Sequence, residues 1–153
     1  MRSKVIDSAR DLGLDVNVQR LPELGTSAQD AATAVGCGCA QIATCAVYVA
    51  DGDPVVCVTS ADSTIDADRL ADALDVAEIR PASGDETRAA TGFSAAGVPP
   101  LGHGLPVVLD ELLLDFATVW AACGDGHTLV ELEPRRLASC TAATVATVSA
   151  VTA

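Results

Sequence analysis

The sequence predicts an α/β (α+β) fold in which helices surround a mixed, largely antiparallel sheet. Helical and strand-like segments are intermixed along the chain, and they do not follow the regular alternation of parallel βαβ units. Two β-branched runs flank Asp51-Gly52-Asp53, which predicts an antiparallel hairpin. The chain has 153 residues, so we expect one domain over residues 1–153 with a core of its own.

Local patterns in the first half of the chain predict its elements. Periodic apolar residues predict helices, and alternating or β-branched runs predict strands. The predicted elements are a helix over residues 2–13, a short strand at Val16 and Val18, a helix from Thr26 to Val35, and strands over residues 41–50 and 54–60. Thr26 and Gln29 form a capping box for the second helix. Because side chains alternate along a strand, Thr44 and Cys45 should lie on opposite faces.

The second half shows the same kinds of signal. Ser83, with acidic residues after it, predicts an N-capped helix, and Pro134 is at the favoured first position of another. The predicted elements are helices over residues 66–74, 83–90 and 134–139, strands over residues 77–80, 107–109, 117–122 and 128–132, and a last strand within residues 142–151.

Residues 91–110 form a segment rich in glycine and proline, which we call the Gly/Pro loop. It contains four glycines and three prolines, a composition that excludes a helix. Long loops in small domains are often functional. Phe93, Val98, Leu101 and Leu105 could hold it against a core, so we expect an ordered functional loop.

Composition limits the classes of partner. The formal net charge is −12, from 21 acidic and nine basic residues, which argues against a nucleic-acid partner, DNA included, because phosphate binding depends on Lys and Arg. Such a surface is also typical of proteins in concentrated salt, where a Debye length of about 3 Å at 1 M would screen its repulsion of a polyanion. No apolar run approaches the roughly 20 residues of a membrane span, and the N-terminus lacks a signal-peptide core. We therefore expect a soluble, cytoplasmic and halophilic protein without a membrane partner.

The six cysteines do not form a recognisable metal motif. Cys37 and Cys39 are a lone C-x-C pair, and His103 and His127 do not follow zinc-finger spacing. Cys45 and Cys57 lie in apolar runs, where a free thiol behaves as a small hydrophobe. Free thiols are the favoured interpretation, and a metal site or a redox pair remains the alternative.

Common catalytic signatures are absent from the sequence. There is no G-x-S-x-G, P-loop, H-E-x-x-H or dinucleotide fingerprint, which excludes the enzymes that need them. The backbone N–H groups around Gly97 and Val98 could instead polarise a carbonyl. Gly97 could also be an ordinary turn glycine, and His103 and His127 could be surface or hydrogen-bonded residues rather than bases.

The Gly/Pro loop and the residues before it resemble a known family. Three stretches carry the resemblance: ETRAATGFSAAGVPPLGHGLPVVLDELLL, the upstream stretch from TSAQDAATAV to the helix after the hairpin, and FATVWAACGDGHTLVELEPRRL. They are similar to the YbaK/EbsC group, which consists of freestanding relatives of the editing domain of bacterial prolyl-tRNA synthetase. The resemblance covers about residues 24–140. It implies a single α/β domain with a curved mixed sheet, and the hydrolysis of mischarged aminoacyl-tRNA in trans without a cofactor or metal.

The resemblance also implies where the site lies. Family members are thought to hold the substrate carbonyl with the loop backbone, at the position of Gly97, while the terminal hydroxyl of the tRNA helps to activate water. We take Gly97, Val98 and Thr44 as candidate catalytic residues. The candidate substrate-binding residues are Thr26, Thr59, Ser60, Ala96, Pro99, Gly102, His103 and His127. Pocket volume would be set by Thr44, Cys57, Thr59 and Ala95.

One residue departs from the family pattern. Many members have Lys in a Q-I-x-K-S strand, and here Gln41-Ile42-Ala43-Thr44-Cys45 places Thr44 at that position. A hydroxyl does not supply the charge of an ammonium. Three readings follow: a deacylase of small amino acids attached to tRNA(Pro), a homologue that binds aminoacyl-tRNA, a nucleotide or a synthetase without turnover, and an interaction domain with a decayed site.

Overall fold

A computed structural model describes residues 2–11, 13, 17–20, 32–33, 35–93, 98–122 and 128–150. The α-helices with defined bounds are α1 (Arg2–Asp11), α2 (Ala67–Leu74), α3 (Gly84–Thr91) and α4 (Pro134–Thr141), and residues 32, 33 and 35 are also helical. The strands are β1 (Asn17–Arg20), β2 (Ile42–Ala50), β3 (Asp53–Ser60), β4 (Thr64–Ile65), β5 (Ile79–Pro81), β6 (Val107–Asp110), β7 (Val119–Ala122), β8 (Thr128–Leu132), β9 (Thr144–Ala146) and β10 (Ser149–Ala150). Short 3₁₀ helices cover Cys39–Gln41 and Glu111–Asp115.

The main sheet mixes parallel and antiparallel pairs. Its order is β1-β8-β7-β2-β3-β6-β9, and β5 also pairs with β2. Strand β2 runs antiparallel to β3 and β5, whereas the pairs β2–β7, β3–β6 and β6–β9 are parallel. A small second sheet pairs β4 with β10. The predicted fold class, a mixed sheet with helices around it, is confirmed.

The predicted hairpin forms at the centre of this sheet. Ala50 pairs with Asp53, so the turn consists of Asp51 and Gly52, whose φ angles are 48° and 89°. Two consecutive positive φ angles define the I′-type turn that matches the twist of adjacent strands. The Asp51 carboxylate accepts hydrogen bonds from the backbone N–H groups of Ala77 and Glu78 at 3.3 and 2.8 Å, which fixes the turn against the segment that leads to β5.

Helix ends also follow local chemistry. Ser83 caps α3 in a capping box with Glu86, and Asp66 caps α2. Helix α1 ends at Asp11, and Gly13 follows it with a φ of 72°. The single last strand predicted within residues 142–151 is wrong, because β9 pairs with β6 whereas β10 pairs with β4. The predicted capping box of Thr26 and Gln29 lies outside the described residues.

The two faces of the sheet have different roles. One face carries Ala43, Val47, Val56, Val58 and Leu109, which belong to the largest buried cluster; we call it the main core face. The other face carries Cys57 and Val108, which are buried with Leu70 of α2 and with Val148; we call it the Thr44 face, because Thr44 alternates onto it. Thr44 and Cys45 therefore point to opposite faces, since Cys45 packs against the main core.

The described helices do not have the character of membrane-spanning segments. Within the described residues, none combines the length and the hydropathy that a bilayer crossing requires.

Candidate active site

The Gly/Pro loop is held to the main core face by its apolar residues. Phe93 is 0 % exposed, and Val98 and Leu101 are buried in the same cluster. Leu105 is partly buried against that cluster. The expectation that these four side chains attach the loop to a core is thus confirmed. Gly97 and Ala96, the centre of the predicted catalytic loop, lie outside the described residues.

A buried threonine fixes the backbone where this loop begins. The Thr91 hydroxyl lies 2.7 Å from the Thr87 carbonyl oxygen and 3.2 Å from the Phe93 carbonyl oxygen, and it accepts the Phe93 N–H at 3.0 Å. Gly92 ends α3 with a φ of 80°, a conformation that favours glycine. The entry into the loop is therefore set by hydrogen bonds as well as by packing.

Three other candidate residues are packed along the far side of the loop. Pro99 is buried and Gly102 is half-buried with a φ of 83°. His103 is only 8 % exposed, and its Nδ1 accepts the Leu105 N–H at 3.0 Å. The Nδ1 atom of His103 is therefore engaged in a hydrogen bond within the Gly/Pro loop.

Thr44 and Thr59 are brought together across the hairpin. They are directly paired on β2 and β3, and their Oγ1 atoms are 3.3 Å apart. The Thr44 hydroxyl also donates a hydrogen bond to the Thr59 carbonyl oxygen at 3.3 Å. Thr44 is exposed, whereas Thr59 is 2 % exposed. Thr44 presents its hydroxyl to solvent from the Thr44 face, and Thr59 is buried beside it.

Ser60 is directed to the other side of the sheet. Its position next to Thr59 on β3 turns its side chain away from Thr44. The Ser60 Oγ lies 2.6 Å from Asp62 Oδ1 and 2.9 Å from the Ala40 carbonyl oxygen, so its one proton already has two acceptors. The structure does not bring Ser60 together with the Thr44–Thr59 pair.

Asp110 is a candidate that sequence reasoning missed, because in the sequence it is one of two acidic residues that directly follow the predicted strand 107–109. It ends β6 and is 0 % exposed. Its Oδ1 accepts the Leu112 N–H at 3.4 Å and so caps the 3₁₀ helix, while its Oδ2 has no hydrogen-bond partner in the described part of the chain. A buried carboxylate among apolar neighbours was detectable only once the sheet order was known.

A small cavity lies beneath the loop at the β2 edge. Its volume is about 160 Å³, and its lining includes Cys45, Val47, Ala82, Thr87 and Val98. These side chains are small or medium in size. Val98 is the candidate catalytic residue that the structure places here.

The two cysteines of the hairpin are unreactive by environment. Burial raises the pKa of the Cys57 thiol to about 12, with the Asp110 charge adding to the effect, and burial together with Cys57 raises the pKa of Cys45. Cys57 packs under α2 with Leu70, on the face opposite Phe93 and Val98. Thr44 and Thr59 share that face, so the prediction that these three side chains face the loop is wrong. The described residues contain no group of three or more His, Cys, Asp or Glu side chains placed to hold a metal.

Thr26 and His127 lie outside the described residues, and their predicted roles stay predictions.

The sequence and the fold both match known proteins. The family model described as "Aminoacyl-tRNA editing domain" matches residues 22–140. The chain belongs to this family. The match includes the hairpin, the Gly/Pro loop and the strands on both sides of β2, so every described candidate residue lies in the editing domain.

Individual relatives agree with the family. The editing domain is 32% identical over 112 residues to the Bacillus subtilis (strain 168) protein YwhH, of uncharacterised function, and covers 71% of each chain. It matches the crystal structure of a candidate trans-editing enzyme for prolyl-tRNA synthetase with a TM-score of 0.91 and 32% identity, over 98% of this chain and 97% of that one. The hypothetical protein APE2540 matches with a TM-score of 0.90 over 96% of this chain and 99% of that one, but at 24% identity it shows the fold alone.

Several of the described candidate residues carry hydroxyl groups. Thr44 and Thr59 offer hydroxyl groups, and Asp110 adds a buried carboxylate behind them. Both cysteine thiols of the hairpin have raised pKa values, which disfavours the thiolate needed for nucleophilic attack.

Proposed function

We propose that this protein hydrolyses mischarged aminoacyl-tRNA in trans, acting on tRNA(Pro) that carries a small amino acid. The observation that carries the proposal is the family match over residues 22–140, which includes both the loop and the Thr44 strand. The structural relative that is a candidate trans-editing enzyme for prolyl-tRNA synthetase aligns over nearly the full length of both chains. That alignment supports activity as one domain over residues 1–153, with tRNA as the partner.

The proposed reaction is ester hydrolysis. Water adds to the carbonyl carbon that joins the amino acid to the 3′-terminal ribose, the carbon–oxygen bond to the ribose breaks, and the ribose oxygen takes a proton. The backbone N–H groups at Gly97 and Val98 stabilise the oxyanion that forms on the carbonyl oxygen. The terminal hydroxyl of the tRNA helps to activate the water.

The remaining candidate residues surround this centre in the proposal. Thr44, at the position of the family lysine, and Thr59 lie on the face opposite Val98, so in the proposal they contact the tRNA away from the ester carbonyl. Thr26, Ala96, Pro99, Gly102, His103 and His127 shape the rest of the binding site. Ser60 lies on the same face of the sheet as Val98, but its hydroxyl is already bonded to Asp62, which leaves it less free to bind the substrate.

A cavity of about 160 Å³ beneath Val98 agrees with a small amino acid. Its lining includes Val47, Ala82 and Val98, which suits a short side chain. A pocket of this kind discriminates one methylene by about 1 to 3 kcal/mol.

Single-turnover deacylation tests the proposal. The panel is Ala-, Ser- and Cys-tRNA(Pro), with enzyme in excess and in buffers of low and multimolar KCl. We expect the wild type to accelerate hydrolysis of at least one species, and Gly97→Pro, which removes the N–H group, to abolish the acceleration. The matched control is Gly84→Pro, because Gly84 is exposed at the first position of α3, where proline is favoured.

A second function is favoured by Thr44 itself. Its hydroxyl is engaged with Thr59 and carries no positive charge, which suits a homologue that binds aminoacyl-tRNA, a nucleotide or a synthetase without turnover. Thr44→Lys distinguishes the two. If the wild type is inert over the whole panel and Thr44→Lys gains turnover, the binding function is correct and the deacylase proposal is wrong.

A further inference from the structure

Thr87 places a hydroxyl in the wall of the cavity beneath the Gly/Pro loop. The residue is 3 % exposed and lines the cavity beside Cys45 and Val98. Its N–H donates to the Ser83 carbonyl at 2.9 Å, and its carbonyl accepts from the Thr91 hydroxyl at 2.7 Å. Within the described residues, the hydrogen bonds of Thr87 use only these two backbone groups. The side chain is therefore the part that faces the cavity, and its hydroxyl has no partner there.

A buried hydroxyl of this kind is unusual. Burial of a hydroxyl without a hydrogen bond costs free energy, and buried polar groups in native proteins are nearly always paired. Thr91, the other buried threonine of α3, follows this rule, because its hydroxyl bonds to the Thr87 carbonyl and accepts the Phe93 N–H. The contrast between two buried threonines of one helix indicates that the Thr87 hydroxyl finds its partner in a ligand.

The rest of the cavity wall is uncharged. Its lining includes Val47, Ala82 and Val98, and no described residue of the lining is a carboxylate. Burial raises the pKa of the Cys45 thiol, so this side chain is neutral as well. An ammonium group would lose its water here without gaining a counter-charge. A short neutral side chain with one hydroxyl would match both the apolar wall and Thr87.

We propose that Thr87 selects an amino acid with a side-chain hydroxyl, so that the preferred substrate is tRNA(Pro) charged with serine. This inference rests on the proposed deacylase function and names the amino acid for the same cavity. While the loop holds the ester carbonyl, the serine hydroxyl lies in the cavity and forms a hydrogen bond with Thr87 Oγ1, in which either oxygen can donate. Alanine leaves the Thr87 hydroxyl unmet, and cysteine offers only a weakly hydrogen-bonding thiol.

The place of Thr87 in the fold suits this role. Helix α3 begins at a capping box formed by Ser83 and Glu86, and the Thr87 N–H is bonded to Ser83. A group carried on a helix is held more precisely than one carried on a loop. The cavity volume of about 160 Å³ limits the side chain that reaches the hydroxyl to a short one.

The size of the expected preference follows from the cost of an unmet hydroxyl. A neutral hydrogen bond that is made with one ligand and left unmet with another, in a buried site, changes binding by roughly tenfold. We therefore expect the wild type to accelerate hydrolysis of Ser-tRNA(Pro) about tenfold more than that of Ala-tRNA(Pro).

The test measures the Ser-to-Ala ratio of single-turnover accelerations over spontaneous hydrolysis, at enzyme concentrations below saturation. Valine has nearly the shape of threonine without the hydroxyl, so Thr87→Val should lower the ratio to about one, chiefly by slowing the seryl ester. Thr87→Ser keeps the hydroxyl and should keep a ratio well above one. Both rates are measured on the same variant, so a smaller folded fraction would lower them equally and leave the ratio unchanged.

Thr141→Val is the matched control. It makes the same chemical change in α4, where the Thr141 hydroxyl donates to the Leu137 carbonyl at 2.7 Å, and Thr141 does not line the cavity. This variant should keep the wild-type ratio, and an equal fall of the ratio in Thr141→Val and Thr87→Val would contradict the assignment to Thr87.

The other outcomes also overturn the inference. If the wild type accelerates the seryl and alanyl esters equally, the side-chain hydroxyl is not recognised, although the deacylase function stands. If Thr87→Val slows both esters by the same factor, Thr87 has only a structural role. If the wild type hydrolyses no mischarged species, the proposed function fails and the selection of serine fails with it.

Discussion

Replacement of Phe93 by alanine should strongly destabilise the protein, because Phe93 attaches the Gly/Pro loop to the core. The side chain is fully buried. A buried aromatic residue covers about 150 to 250 Å², which at about 25 cal/mol per Å² is worth about 4 to 6 kcal/mol. Alanine retains part of that burial and a cavity adds to the loss, so we expect Phe93→Ala to lower the free energy of unfolding by about 3 to 5 kcal/mol.

The chain offers a matched control in its other phenylalanine. Phe116 packs against the same buried cluster but is only partly buried, so Phe116→Ala should cost about 2 kcal/mol. The assay is urea unfolding followed by circular dichroism, with melting temperatures as a second readout. For a chain of this size, 1 kcal/mol corresponds to about 2 to 4 °C, so the two variants should differ by at least about 2 °C. Equal losses for the two variants would refute the view that Phe93 anchors the loop.

Three further predictions concern single groups. Thr91→Val should lower the free energy of unfolding by about 1 to 3 kcal/mol in urea titrations, because it leaves the buried Phe93 N–H unmet. Glu86→Gln should make the melting temperature fall less steeply as the pH is lowered. The Arg80 hydrogen bonds lower the Glu86 pKa to about 2. The stabilisation by the Glu86 carboxylate is therefore complete above its ordinary pKa of about 4.5 and is lost as pH falls through about 2. Cys57, whose pKa is raised to about 12 mainly by burial, should resist a thiol reagent at pH 8 until the protein unfolds, as mapped by mass spectrometry.

A matched control for each of these three predictions distinguishes the effect of the named group from a nonspecific effect of substitution or modification. Thr141→Val removes only a hydroxyl bond to the carbonyl of Leu137 and should cost less than Thr91→Val. Asp85→Asn, exposed in the same helical turn as Glu86, should leave the acid limb steeper than Glu86→Gln does. Cys140, which is half-buried, should be modified sooner than Cys57. A reversed order in any of these comparisons contradicts the corresponding assignment.

Local signals in the sequence predicted the elements that depend on neighbouring residues. Asp51 and Gly52 predicted the hairpin because few residue pairs accept two positive φ angles. Ser83 predicted the start of α3 because its side chain satisfies a helix N–H group. Alternation along β2 placed Thr44 and Cys45 on opposite faces of the sheet.

Long-range pairing is what the sequence did not reveal. Asp110 lies beside Thr59 only because β6 is parallel to β3, and nothing near residue 110 specifies that neighbour. The division of the tail into β9 and β10 has the same origin, since each pairs with a strand far away in the chain. Cys57 was expected near the loop because its strand passes the site, but its place under α2 depends on how the helix packs on the sheet.

Hydrolysis of mischarged tRNA(Pro) by the wild-type protein tests the central claim most directly. The rates to measure are those of Ala-, Ser- and Cys-tRNA(Pro) beside correctly charged Pro-tRNA(Pro), under single-turnover conditions and relative to spontaneous hydrolysis. We predict acceleration for at least one mischarged species and little for Pro-tRNA(Pro). Rates equal to the spontaneous rate for every species, with the protein shown to be folded, would contradict the assignment of this chain as an editing enzyme.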